Sequence, residues 1–138
     1  MKLTRRKIVD IHNLIESVAD KVVSPKLAFK FIKLKQACKP EIDAIVEAQK
    51  TVMITPEIEE YNRKQAELDK NDPEYAQKSL AIYQENKDLV DNFRKKDQEF
   101  GEMLEEEVEI EIPEIDLDSL PEGVFKVKDL ELLTEIIK

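Results

Sequence analysis

Phe31, Cys38, Ile45 and Val52 recur at intervals of seven residues, with Leu27, Leu34 and Ala48 in the companion positions. A spacing that returns every second turn commits this stretch to a helix with one apolar stripe. Such a helix is stable only when the stripe is covered, so the rest of the chain must supply the cover. Pro40 lies inside the run and lacks the N–H that an interior helical position donates. The apolar phase is the same on both sides of it. One kinked helix, or two nearly collinear ones, therefore fits better than a turn.

The neighbouring segments repeat one kind of punctuation. Thr4 is placed to cap a first helix whose stripe is Ile8, Ile11, Leu14, Ile15, Val18 and Val22. Ser24-Pro25 ends that helix and opens the heptad one, with serine as cap and proline at the first position, where its missing N–H does no harm. Thr55-Pro56 repeats the signal ahead of a short polar helix with Ile58, Tyr61 and Leu68. "KNDPEY" repeats it again, with Asn71 or Asp72 as cap and Pro73 at the first position. A long amphipathic segment follows, carrying Ala76, Leu80, Tyr83, Val90, Phe93, Phe100 and Leu104, and it tolerates the lone Gly101 near its end.

The period then changes. In "EEEVEIEIPEIDLD", Val108, Ile110 and Ile112 alternate with Glu107, Glu109 and Glu111, which predicts a strand with one buried face. Pro113 marks an edge or a bulge, and past it the apolar residues move to Ile115 and Leu117, as a one-residue slip would require. "SLPEG" turns the chain, "VFKV" is expected as a second short strand, and Leu130, Leu133 and Ile137 close it with a helix. With only two glycines and no tryptophan in 138 residues, the chain reads as mostly α within an α+β class. The expected architecture is an antiparallel long-helix bundle or coiled-coil-like hairpin, with a small C-terminal β element of two short strands and a closing helix. It is expected as a single domain, residues 1–106 forming the helical region and 107–138 the strand and helix cap.

Charge is polarised along the chain. Residues 1–35 hold nine Lys/Arg against three acids, and residues 97–138 hold three against fifteen, within a net charge of −9. Such polarity points to electrostatic contact inside a fold or oligomer, or to a face offered to a charged partner. Three successive same-face glutamates repel one another, and the basic first two helices are the nearest remedy. The acidic face Glu105, Glu107, Glu109 and Glu111 reads first as a solvated or internally paired surface, and second as an imitation of phosphates. The basic residues Arg5, Arg6, Lys26, Lys30 and Lys33 suit phosphate contacts, but the turn lacks glycine, the molecule is acidic, and no cluster of base-reading side chains accompanies them.

Enzymatic signals are absent from the sequence: it has no glycine-rich phosphate loop and no nucleophile elbow. Asp116, Asp118 and Glu122 lack the third acid and the glycine of a calcium loop, so no metal and no cofactor is expected. His12, the single histidine, reads as a boundary residue beside the first helix's stripe. Cys38 takes a core position, and one cysteine excludes an internal disulfide, which favours a reducing cytoplasm. No run is long enough to span a bilayer.

The ordered motifs "MKLTRRKIVDIHNLIE", "SPKLAFKFIKLKQACKPEIDAIVEAQK" and "EFGEMLEEEVEIEIPEIDLDSL", followed by a short C-terminal helix, resemble a group of small acidic proteins of tailed phages and prophages from Gram-positive bacteria. The shared features are a Lys-Leu-Thr start, a helix interrupted at Lys-Pro-Glu, the acid-rich helix-to-strand passage and a leucine-rich tail. The likeness covers most of the chain except roughly Thr51 to Asp88, which looks like a variable insertion. The resemblance implies an origin, in the host-cell cytoplasm, and transfers no catalytic residue. The function read from the sequence is a non-enzymatic accessory protein that acts through protein contacts and self-associates. Phe93, Phe100, Leu104, Val108, Ile110 and Ile112 are its expected contact residues, and its partners are itself or another phage or host protein. An inhibitor of a host defence or nucleic-acid enzyme, using the acidic face from Glu105 to Asp118, is the alternative. A DNA-binding regulator using the basic helices is the third.

Overall fold

In a computed structural model, which describes residues 1–21 and 24–137, the chain is mostly helical with a small two-stranded antiparallel sheet. In order, the elements are β1 (Lys2–Thr4), α1 (Arg5–Val18), α2 (Pro25–Gln49), α3 (Pro56–Ala66), α4 (Tyr75–Glu85), α5 (Lys87–Glu105), β2 (Glu107–Glu109) and α6 (Val127–Ile136), with short 3-10 turns at Lys50–Val52 and Leu117–Ser119. They form two compact units. The first comprises Met1–Glu47 and Met103–Lys138, and the second comprises Ala48–Glu102.

The first unit contains the sheet. β1 pairs antiparallel with β2, placing Leu3 opposite Val108, Lys2 opposite Glu109 and Thr4 opposite Glu107. Alternation sends Leu3 and Val108 to the core face and leaves opposite charges facing each other outside, which is the favourable arrangement across a strand pair. The ladder is shorter than the sequence pattern suggests. It gains one more bond, from the Ile110 amide to the Met1 carbonyl at 2.9 Å, and no strand is assigned to Glu111 and Ile112. The second strand expected at "VFKV" is corrected: Val124 and Phe125 lie in a turn, and Val127 opens α6. The partner of β2 is instead the N-terminal segment, whose Leu3 offers an apolar residue in the matching register. Gly123, at φ 76°, makes the turn that a side chain would strain.

Thr4 caps α1 by accepting from the Lys7 amide at 3.2 Å, and Ser24 accepts from Leu27 at the start of α2. The predicted stripe of α1 is buried at Ile8, Ile11, Leu14, Ile15 and Val18, while Val22 lies outside the described residues. α2 runs unbroken through Pro40, which is exposed, and buries Leu27, Phe31, Leu34, Cys38 and Ile45. These α1 and α2 residues, Ile45 aside, form one cluster with Leu3, Ile110, Ile115, Leu133 and Ile136. The Phe31 and Phe125 rings meet within it at 6.2 Å.

In the second unit, Thr55 caps α3 by accepting from Ile58 at 3.3 Å, with Pro56 at the first turn. α4 opens at Tyr75, two residues past Pro73, because the Asp72 carboxylate accepts from the Glu74 amide and builds a tight turn first. The single long segment expected from Ala76 to Leu104 is two helices. Asn86 separates them: its amide donates to Tyr83, its side chain donates to the Ile82 carbonyl, and its own carbonyl receives Val90. One asparagine thus ends α4 and starts α5, a competition with the helical ladder to which this side chain is suited. Gly101 stays helical in α5 with open space where a Cβ would lie.

Candidate functional site

The acidic run folds onto the basic head of its own unit. The Arg5 guanidinium donates from Nε to Glu41 at 3.1 Å and from Nη1 to Glu106 at 2.7 Å, with a further bond to the Met103 carbonyl at 3.2 Å. Those carboxylates hold the Arg5 cation more firmly, Glu106 first and Glu41 second, and raise its pKa. Arg6 pairs with Glu105 at 2.5 Å, and Lys7 pairs with Glu135 of α6. Glu109 receives the Met1 amine at 2.7 Å, a contact that lowers its pKa below the ordinary carboxylate range. Glu107 and Glu111 have no ion-pair partner among the described residues. Charge crowding on the strand is therefore relieved from within the unit at Glu105, Glu106 and Glu109.

The expected contact residues divide into two groups. Ile110, 5% exposed, belongs to the first unit's core, and Val108 and Ile112 are half-buried against it. The register accounts for Val108, which falls opposite Leu3, itself a member of the same core cluster. Phe93, Phe100 and Leu104 are half-buried on α5.

The basic residues divide as well. Arg5 and Arg6 are engaged as above, whereas Lys26 and Lys33 stand on the wet side of α2 and Lys30 is half-buried between that side and the core stripe. Helical rotation of 100° per residue puts Lys26, Phe29, Ile32, Lys33 and Gln36 on one arc, directly opposite the arc of Leu27, Phe31, Leu34 and Cys38. Phe29 is 60% exposed and Ile32 52%. The Lys33 ammonium lies 5.4 Å over the Phe29 ring. Sequence reading passed over Phe29 and Ile32 because they fall outside the heptad. Two large apolar residues opposite a complete stripe were the signal that was there to find.

A second apolar feature of this unit is a hollow of 380 Å³ whose walls include Leu117, Leu120, Pro121, Glu122, Phe125 and Leu130. Leu117 and Leu130 are 42% and 39% exposed. Asp116 caps the turn at Leu117 by accepting from the Asp118 amide at 3.0 Å, which fixes Leu117 at the rim. Glu122 stands in its wall, and the exposed Asp116 and Asp118 flank Leu117 along the chain. A wider cleft beside α1 and α6 presents Asp10, Lys21, Lys126, Lys128 and Asp129. Its charges are of both signs and none is buried, so it selects no ligand charge.

In the second unit, all three tyrosines of the chain, Tyr61, Tyr75 and Tyr83, line one hollow with Leu80 and Arg94. Tyr83 donates to Asp91, which holds its hydroxyl above the usual tyrosine range, and the Arg94 guanidinium lies 5.5 Å over its ring.

Reactive side chains are placed in structural settings. Cys38 is fully buried, and burial pushes its thiol up to about 11, away from the thiolate a nucleophile needs. His12 lies 3.7 Å from Glu16, whose carboxyl is held low chiefly by Lys35. Among the described residues, no group of three or more His, Cys, Asp or Glu side chains is placed to hold a metal, and no helix is long and apolar enough to cross a membrane. No protein-family model, curated protein or solved structure matches this chain.

Proposed function

We propose that this chain is a non-enzymatic accessory protein that acts by contact with other polypeptide, itself included. One observation carries the reading: the outer face of α2 displays Phe29 and Ile32 to solvent among lysines. A helix already anchored by Leu27, Phe31, Leu34 and Cys38 gains no core stability from a phenylalanine on its wet side. Exposed apolar side chains side by side on one helix face form a patch of the kind that meets other protein, and aromatics are enriched at such surfaces. The tyrosines and Arg94 of the second unit's hollow have the composition of a binding hot spot. The non-catalytic part is supported by the placement of Cys38 and His12. Phage or prophage provenance, and with it a place in the host cytoplasm, rests on the sequence resemblance.

The rival reading, in which the acidic run imitates nucleic acid, is weakened by the pairing of Glu105, Glu106 and Glu109 with cations of the same unit. Phosphate mimicry needs those charges outward and free.

Self-association is the part most directly tested. The molar mass of the full chain in solution, followed by sedimentation equilibrium, should rise with concentration. A chain that remains monomeric up to its solubility limit defeats the reading.

A further inference from the structure

We propose that copies of this chain join head to tail, the Lys26–Phe29–Lys33 face of α2 on one copy seating in the acidic hollow around Leu117 and Leu130 on the next. This inference rests on the protein-contact reading and names the two surfaces that meet.

Three observations carry it. First, the surfaces are complementary in charge and in apolar character. The α2 face exposes Phe29 and Ile32 with Lys26 and Lys33 on the same arc, and the hollow is a 380 Å³ recess lined by Leu117, Leu120, Phe125 and Leu130, with Glu122 in its wall and Asp116 and Asp118 on either side of Leu117 along the chain. Second, neither set of charges is neutralised at home. Lys26 and Lys33 on one side, and Asp118 and Glu122 on the other, form no ion pair with any described residue. The acids nearer the sheet, by contrast, are paired. Third, the two surfaces cannot meet within one copy. Phe31 packs inward on Phe125, which also lines the hollow, while Phe29, two residues along, is turned about 200° away. The order is then Phe29, the α2 backbone, Phe31 and Phe125, and Phe125 is itself a wall of the hollow.

That order also fixes the symmetry. A two-fold dimer would bring patch and hollow together twice, which requires both on one side of the unit. Surfaces on opposite sides give a heterologous contact, which propagates into a ring or an open chain. A second copy is favoured over nucleic acid as occupant of the lysine face because the net charge of −9 repels a polyanion, and because Phe29 and Ile32 ask for an apolar seat.

The test uses the full chain and two variants at exposed positions, Phe29→Asp for the face and Leu117→Lys for the hollow. Circular dichroism checks that each keeps its fold. Sedimentation equilibrium should show wild type passing beyond the mass of a dimer as concentration rises. Each variant alone should associate about thirtyfold more weakly or worse, as the loss of an aromatic anchor or its socket predicts. An equimolar mixture of the two retains one intact face and one intact hollow, so it should form a 1:1 complex and stop there. Association that survives Phe29→Asp, a wild type that plateaus at a dimer, or a mixture that stays monomeric overturns the head-to-tail inference while leaving self-association standing. A monomeric wild type removes both. Retention on duplex DNA at low salt that Lys26→Glu with Lys33→Glu abolishes, without a change in mass, overturns it in favour of a nucleic-acid surface.

Discussion

The two units of this chain are held by different forces. Fourteen buried apolar side chains of the first unit form one continuous cluster, fed by α1, α2, α6, β1 and the strand-to-turn segment. Among the described residues the second unit buries Ile58, Tyr61 and Val90, and polar bonds join its helices. Gln65 and Ser79 join α3 to α4 reciprocally: the amide donates to the Ser79 carbonyl at 3.0 Å, and the Ser79 hydroxyl donates to the amide oxygen at 2.7 Å. Arg63 pairs with both Glu60 and Glu67 on one face of α3. Burial acts collectively and without direction, whereas each of these bonds acts at one place and competes with water. The first unit should therefore open only as a whole, and the second in pieces.

The largest test of that contrast is Leu34→Ala. Leu34 is fully buried at the centre of the α2 stripe, and the truncation should cost about 2–5 kcal/mol in chemical denaturation. A cost below about 1 kcal/mol would mean that the cluster is loosely packed and that the contrast is overstated. Smaller is the effect of Gln65→Ala, which removes both halves of the α3–α4 link and should cost about 1–2 kcal/mol. Its signature is local: hydrogen exchange should quicken across α3 and α4 and stay unchanged in α1. A uniform acceleration would show instead that the second unit's polar bonds support the whole chain.

How far the sequence disclosed this depended on the force at work. The helices of the first unit were legible because burial writes a period into the residues: Ile8 to Val18, and Phe31 to Ile45, are the observed core. The sheet was half legible. Alternation located β2, but nothing local says which distant segment pairs with it, and Lys2–Thr4 is too short to show a period. The break at Asn86 was missed because an asparagine's choice between the ladder and its own backbone bonds leaves no trace in an apolar pattern. The same limit applies to the candidate site. Lys26, Lys30 and Lys33 stood out by charge, but the exposure of Phe29 and Ile32 follows from which α2 face the core claims. Conversely, the alternation that marked Val108, Ile110 and Ile112 as contact residues could not tell that Ile110 lies in the first unit's own core.

The smallest expected effect concerns the turn that opens α4, where a single carboxylate does two jobs. Asp72 accepts from the Glu74 amide at 2.8 Å with one oxygen and from the Lys78 ammonium at 2.6 Å with the other. The lysine first, and the amide second, hold its carboxyl below the ordinary aspartate range. A group depressed in the folded state contributes stability above its unfolded pKa, near 3.9, and loses that contribution as pH falls through the folded value. The α4 terminus should therefore loosen in acid, below about pH 4, and not at neutral pH. Asp72→Asn separates the two jobs, because its amide oxygen still caps Glu74 while the charge on Lys78 goes unanswered. In the variant, the Glu74 amide shift followed by NMR should keep its neutral-pH value and lose its acid inflection. An inflection that persists unchanged would assign the titration to another acid and would make Asp72 a cap and nothing more.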